Sequence, residues 1–572
     1  MKLKFINILY FAASVSVLTS CKKDFLDVTP TDRLSDATIT SDSVIFESFV
    51  INRYLGTRLT NKEAEGTLPG FGRGFEYAMW SSLTDESIYN NDDNTWLVQR
   101  GQLSPDNTGI AGTIWGRSYR SIRECNYALA NIDKVTMSSY HKKLLIAEIR
   151  FLRAFRYHDL IRNYGGVPLM GDLVAELGDN FTNSSLFEKK SIADCINYVV
   201  AELDAAAADL PIANFEATQK SFGWLKGRAT KGAALALKSR MLLYAASPLY
   251  RDADSQDAWK AAVNAAKAVM DLNIYGLYSN YQNLFISSAA NNEVIFARYY
   301  TVGARHVPME IANGPNGHDG WGGNLPLQNL VDAYEMNNGK VITDPTSGYN
   351  EQDPYKNRDP RFYATVLYDG AQYRGRALET FIPGGRDSKD GPSNWNTSKT
   401  GYYLRKFVDE AMPINNPWNI AGLQPWIYFR YAEILLNYAE AANEAYGADV
   451  LPANATLTAR EAINLVRSRS GVNMPGLPIG LTKVQMRDAI VRERRVELAF
   501  EEHRFYDVRR WKIADQTENM PAQGIIITKT GSTLSYQKKV ALDGRKFETK
   551  HYWLPIPRAE ILASGGKLQQ NY

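Results

Sequence analysis

Cysteine and histidine are scarce: 572 residues hold three Cys and six His. Three thiols cannot build a disulfide framework, and the histidines are scattered without the close pairing of a zinc site. Neither a disulfide-stapled fold nor a metal or other cofactor is signalled. Cys125 and Cys195 each sit within apolar helical pattern, where a small buried thiol is the expected role. An excess of one charge is missing too, since 65 Lys and Arg face 62 Asp and Glu for a net +3. No broad field therefore favours nucleic acid. Beyond residue 20 no stretch approaches the roughly 20 apolar residues of a spanning helix.

Aromatic residues are abundant instead. Tyr 33, Phe 22 and Trp 11 make 12% of the chain, more than core packing asks for, so some rings are expected on the surface.

The N-terminus sets the compartment. Lys2 and Lys4 precede an apolar run over 5–18, and the run ends Leu18-Thr-Ser-Cys21. Residues 1–20 read as a signal peptide. Leu-Thr-Ser-Cys resembles the bacterial lipobox, in which the Cys becomes the diacylated first residue of the mature protein. Cys21 is thus the expected lipidation site, and its acyl chains the expected membrane attachment.

The stretch 428–445 lacks Gly and Pro, and on a helical period Glu433, Asn437, Glu440 and Glu444 fall on one narrow stripe. The rest of its surface is apolar or small, so neighbours must cover it on several sides, as in stacked helix pairs. Stretches 144–163, 229–246 and 486–500 look alike, and Ala147/Ala154 and Ala432/Ala439 let a partner helix approach closely. The expected class is mainly α, with about four tetratricopeptide-like pairs: 113–135 with 144–163, 191–210 with 229–246, 257–272 with 428–445, and 456–470 with 482–500. An ordinary all-α protein with Ala-rich helices is the alternative. Between the members of the third pair lies a loop-rich insertion, 273–427, with strand-like runs at 293–300, 364–368 and 402–407. The corresponding division is 1–20 signal peptide, 21–225 N-terminal region, 226–272 helical linker and 273–572 C-terminal region. Insertions in a solenoid emerge on one face and commonly carry function.

No catalytic constellation is legible. Glycoside hydrolysis needs two carboxylates flanking a bond, but Asp85-Glu86, Asp92-Asp93 and Glu501-Glu502 are adjacent pairs, read as solvated or capping groups. His318-Asp319 lies in a Gly-rich loop without a nucleophile elbow. The charged series Arg494, Arg495, Glu497, Glu501, Arg504, Arg509 and Arg510 reads as a salt-bridge network on a solvated face. Sugar binding asks for flat aromatic surface with planar polar groups beside it. Loop Trp residues next to Asn or Asp supply that pattern: Trp80 with Asp85, Trp96 with Asn94, Trp321 with Asn324, and Trp395 with Asn394 and Asn396.

Several stretches, in order along the chain, resemble the SusD/RagB family of Bacteroidetes outer-membrane lipoproteins. They are the lipobox with Asp24-Phe-Leu-Asp27, Phe151-Leu-Arg-Ala154 with Tyr164-Gly-Gly-Val-Pro168, Asn357-Arg-Asp-Pro-Arg-Phe362, Gly401-Tyr-Tyr-Leu-Arg-Lys406, and Arg494-Arg-Val-Glu-Leu-Ala-Phe-Glu501 through Arg509-Arg-Trp511. Lys22 and Lys23 depart from the acidic cluster that often follows the lipid Cys. The resemblance implies a non-enzymatic, lipid-anchored protein on the outer membrane that captures oligosaccharides and hands them to a TonB-dependent barrel transporter. It also implies that rings of the insertion act with rings near residues 80–100, which selects Trp80, Trp96 and Trp321 for stacking, with Asn94 and Asn324 as hydroxyl partners. A surface glycoside hydrolase and a helical-repeat scaffold that binds protein are the alternative functions.

Overall fold

The computed structural model describes residues 36–55, 78–92, 94–109, 112–175, 179, 185–218, 222–289, 291–412 and 421–571. Cys21 and the proposed signal peptide lie outside them. The longer helices are α1 (Ser43–Ile51), α2 (Ile114–Asn131), α3 (Ser139–Tyr164), α4 (Ile192–Asp209), α5 (Lys231–Ala246), α6 (Gln256–Met270), α7 (Tyr431–Tyr446), α8 (Ala459–Arg467), α9 (Lys483–Glu497) and α10 (His503–Arg510).

Their starts are set by side chains that satisfy orphan backbone donors. Ser138, Ser191, Thr230 and Ser255 each accept a hydrogen bond from a backbone N–H of the first turn. Thr458 with Glu461, and Thr482 with Gln485, form reciprocal capping boxes. Gly165 closes α3 at a φ of 71°, which a β-carbon would disfavour.

Each helix from α2 to α7 packs on the next, and α7 packs on both α8 and α9. Four stacked pairs result: α2/α3, α4/α5, α6/α7 and α8/α9. α6 and α7 meet although the whole insertion separates them in sequence. Ala147, Ala154, Ala432 and Ala439 are buried at these contacts. Small residues there let helix axes draw together, and the surrounding Leu, Ile and Phe side chains join one continuous core. Cys125 and Cys195 are buried free thiols, and burial pushes the Cys125 thiol up to about 11.

The insertion is tied down by short antiparallel ladders. β1 (Ser87–Tyr89) pairs with β3 (Asn324–Pro326), β2 (Val294–Arg298) with β8 (Trp426–Arg430), β4 (Val366–Leu367) with β7 (Tyr403–Leu404), and β5 (Gln372–Tyr373) with β6 (Arg376–Ala377). β2 and β8 bring the insertion's start and end together, while β1 with β3 stitches it to the N-terminal part. A final hairpin joins β9 (Ala522–Thr530) and β10 (Thr533–Leu542). No helix among the described residues is long and apolar enough to cross a membrane.

The charged series read as a solvated network is instead interior. Arg430 is bonded by Glu293, Glu497 and Glu501, Arg469 joins Glu293 and Glu497, and Arg361 reaches Asp359, Glu493 and Glu497. All these side chains are buried. Glu501 also receives Lys406 at 2.8 Å. Partners arrive from distant parts of the chain, so local spacing could not show that the charges neutralise one another inside. The polar stripe of α7 has the same character: Glu433 accepts Arg240 at 2.7 Å, Asn437 accepts Arg494 at 2.8 Å, Glu440 accepts Arg510 at 2.7 Å and Glu444 accepts Arg487 at 2.7 Å. Planar guanidinium forks suit such buried carboxylates.

Candidate functional site

Two of the predicted ligand residues belong to the interior. Trp80 opens a 3-10 turn, is 1% exposed, and packs edge-on to Phe505 at 4.6 Å between ring centroids, with Tyr506 at 5.7 Å. It is a core ring, because the segment after it is drawn down onto α10. Asn324 is likewise buried. Its Oδ1 accepts Met79 N at 2.9 Å and Ser82 Oγ at 2.8 Å, and its own N–H groups donate to Asn313 Oδ1. Its amide spends its bonding capacity joining the N-terminal loop to the insertion.

That junction is fixed by a charge clamp. Asp85 receives Arg504 at 2.8 and 2.9 Å and Arg495 at 2.8 Å. Burial alone would raise its pKa, but Arg495 and Arg504 outweigh that and hold the carboxyl well below the usual range. Its neighbour Glu86 has no such fork, and burial pushes it up to about 7. Neither is the solvated group expected of an exposed acid pair.

From this anchored base the chain runs through β1 to an outward patch. Asn90 N donates to Gly323 O at 2.8 Å, and Asn90 Nδ2 to Thr397 O at 3.2 Å. Asn316 Nδ2 donates to Ser393 O at 2.6 Å. These bonds bring three separate stretches together: 89–100, 316–324 and 393–399.

The glycines around Trp321 serve this assembly. At Gly320 a β-carbon would run into the Gly314 carbonyl and at Gly323 into that of Ala312, while Gly322 has a φ of 55° and its β-carbon would stand 3.0 Å from Asn396 O. They permit backbones to approach, rather than merely uncovering the ring. Trp321 itself is half-buried, with its backbone N–H donating to Ile311 O at 2.7 Å.

Trp96 is also half-buried. Its Nε1 donates to Tyr89 O at 3.1 Å, and the cations of Lys399 and Arg100 lie 4.9 and 5.2 Å from its ring centroid. Asn94 is exposed, in left-handed backbone at φ 61°, and makes no side-chain cap bond. Trp395 stands furthest out, 71% exposed on the turn Asn394–Asn396. Its flanking Asn residues signalled it in the sequence, but the family resemblance pointed to rings elsewhere.

Two buried amide atoms at the meeting of these stretches, Asn90 Oδ1 and Asn396 Nδ2, have no protein partner. Each residue is only 3% exposed. Several carboxylates near the patch are engaged, Asp387 by Arg376, Glu379 by Arg386, Asp390 by Lys389, and Asp92 Oδ1 by Trp96 N, whereas Asp319 is exposed. His318 lies edge-on to Tyr373 at 4.9 Å, and burial pushes its imidazole down to about 4. Among the described residues no group of three His, Cys, Asp or Glu could hold a metal ion. A separate cavity of about 800 Å³, lined by Tyr54, Phe222, Phe296, Tyr299 and Tyr428, shares no residue with the patch.

A stack of helix pairs carrying a loop-built patch of tryptophans and amides defines a helical-repeat scaffold with its surface chemistry on inserted loops. Comparison with known proteins gives the family. Residues 283–572 match the SusD family model and residues 24–243 match a model described as starch-binding associating with outer membrane. The chain belongs to the SusD family. It is 25% identical to SusD-like protein P2 of Formosa agariphila, over 76% of this chain and 82% of the relative. A SusD-like protein from Bacteroides fragilis matches its structure with a TM-score of 0.74 and 28% identity, covering 95% of this chain and 99% of the other. A SusD-like carbohydrate-binding protein from the same organism matches with a TM-score of 0.73 and 28% identity, covering 93% and 100%.

Proposed function

We propose that this protein captures oligosaccharides on the patch built by Trp321, Trp395 and Trp96, with the exposed Asn94 among the groups that meet sugar hydroxyls. Lipid at Cys21 anchors it to the outer membrane, facing outward, and the ligand passes to a TonB-dependent barrel transporter. The observation that carries the reading is Trp395, a 71% exposed indole on the turn Asn394–Asn396. A pyranose offers an apolar face and a rim of hydroxyls, which is the complement of that surface. The solved relative described as carbohydrate binding and the starch-binding family description support the same class of ligand.

Binding without catalysis is favoured because, among the described residues, Asp387, Glu379 and Asp390 are engaged by Arg376, Arg386 and Lys389, and the exposed Asp319 has no second free carboxylate shown beside it to make a glycosidase acid and base. Affinity electrophoresis through gels containing plant and host polysaccharides tests it. Retardation on at least one polymer, with no new reducing ends in solution, is the expected result. Reducing ends released from a retained polymer would make it a hydrolase, and no retardation on any glycan would leave the protein-binding scaffold.

A further inference from the structure

Most cations of the insertion near the patch are neutralised. Arg376 is paired with Asp387, Arg386 with Glu379, Lys389 with Asp390 and Arg405 with Glu410. Lys399 and Arg100 differ. Both sit beside the Trp96 ring, and neither has a carboxylate within ion-pair distance among the described residues.

Their fixed bonds use little of their capacity. Lys399 Nζ donates to Asn90 O, and Arg100 Nε donates to Asp543 O at 3.2 Å. Both acceptors are neutral backbone carbonyls. Arg100 therefore keeps its two terminal NH2 groups for a planar anion, and Lys399 keeps further ammonium donors. Asp92 acts electrostatically on Lys399 without forming an ion pair with it, and its Oδ1 accepts a hydrogen bond from Trp96 N at 2.8 Å. Half-burial lowers the Lys399 pKa, so the ammonium is partly stripped of water with no ion-paired carboxylate in return.

A neutral sugar would use the exposed Trp395 ring and would leave both cations without an ion-paired anion. We infer that the ligand of this patch is an anionic oligosaccharide, whose carboxylate or sulfate group is received by Lys399 and Arg100, the two cations that lie over the Trp96 ring, while Trp395 takes an adjoining sugar face. This deepens the proposed function and rests on it. Trp96 then works as the platform that holds two cations, rather than as a stacking surface for sugar.

The test compares the full chain on homogalacturonan and chondroitin sulfate with the same polymers after carboxyl reduction or desulfation, at low and at high salt. At least one acidic polymer should bind about tenfold more tightly than its neutralised counterpart, with the difference shrinking as salt rises. Loss on carboxyl reduction identifies a uronate, and loss on desulfation a sulfate ester. In the double variant K399Q/R100Q the preference should fall to near unity while binding of the neutralised polymer persists. Equal affinity for acidic and neutralised polymers, or binding of neutral glycans only, overturns the inference and leaves glycan capture standing; an unaltered preference in K399Q/R100Q overturns the assignment to these two residues. Failure to bind any glycan removes both. The charged-to-neutral ratio of the unmodified chain decides the question even where the double variant folds poorly.

Discussion

Trp395 and Trp80 are the same residue with the same kind of polar neighbours, and they end at opposite extremes of exposure, 71% and 1%. Adjacent Asn or Asp could not separate them, because Asp85 beside Trp80 is an internal charge partner of Arg504 and not a surface group. Trp395→Ala should weaken glycan binding about tenfold with the melting temperature unchanged. Trp80→Ala should cost about 3–5 kcal/mol of stability by leaving a cavity against Phe505. Equal thermal shifts for both variants would show that their surroundings are misassigned. Glu86 gives a test of a different kind. Its folded pKa of about 7 lies above the usual carboxylate value, so the folded state binds the proton more tightly than the unfolded state between those values. Stability from this group is present at low pH and is lost as pH rises through about 7. Glu86→Gln should therefore gain stability over the parent at pH 8, by up to about 3 kcal/mol, and gain little near pH 4. A gain that is flat with pH, read from denaturation midpoints at each value, would contradict it.

At the scale of elements, the helices were legible because apolar periodicity is local. In the structure, Thr458 with Glu461 and Thr482 with Gln485 fix the starts of α8 and α9, and Gly165 closes α3. Strands β2, β4 and β7 fell inside the expected runs, but their partners did not, since β2 pairs with β8 across the whole insertion. The stripe of α7 was seen and its environment was not. Glu440 is buried and bonded by Arg510 and by Trp511 Nε1 at 2.7 Å, so the stripe marks where arginines of later helices dock. Glu440→Ala should cost about 3 kcal/mol, because it leaves the buried Arg510 with Asp507 as its one remaining carboxylate and Trp511 Nε1 without its acceptor. Lys260, exposed and paired with Asp257 on the helix surface, should change stability by less than about 0.5 kcal/mol when replaced by Ala. Chemical denaturation of the two variants side by side checks the contrast, and a comparable loss in both would mean that burial does not set the value of these pairs.

For the whole molecule, the patch is a product of long-range assembly, which is why the sequence showed its components without showing which of them meet. The proposed lipid anchor is separable from it: Cys21→Ala should release the protein from membranes in cells lacking the proposed transporter, with glycan binding intact, as fractionation would show. Assembly itself depends on the joint between the segment 78–100 and the helices. Asp85, clamped by Arg495 and Arg504, fixes the start of that segment; β1 pairs it to β3 through Ser87↔Pro326, Ile88↔Leu325 and Tyr89↔Asn324; Asn90 and Trp96 follow directly and reach Gly323, Thr397 and Lys399. Asp85→Asn keeps the shape but leaves two buried guanidinium groups without their carboxylate. The expected cost is about 3 kcal/mol, and loosening should reach the patch through β1. Amide exchange at Ser87–Tyr89 should speed up and glycan affinity should fall together in this variant, whereas Trp395→Ala should lower affinity with exchange unchanged. Lost affinity with β1 fully protected would mean that Asp85 does not act through the position of this strand.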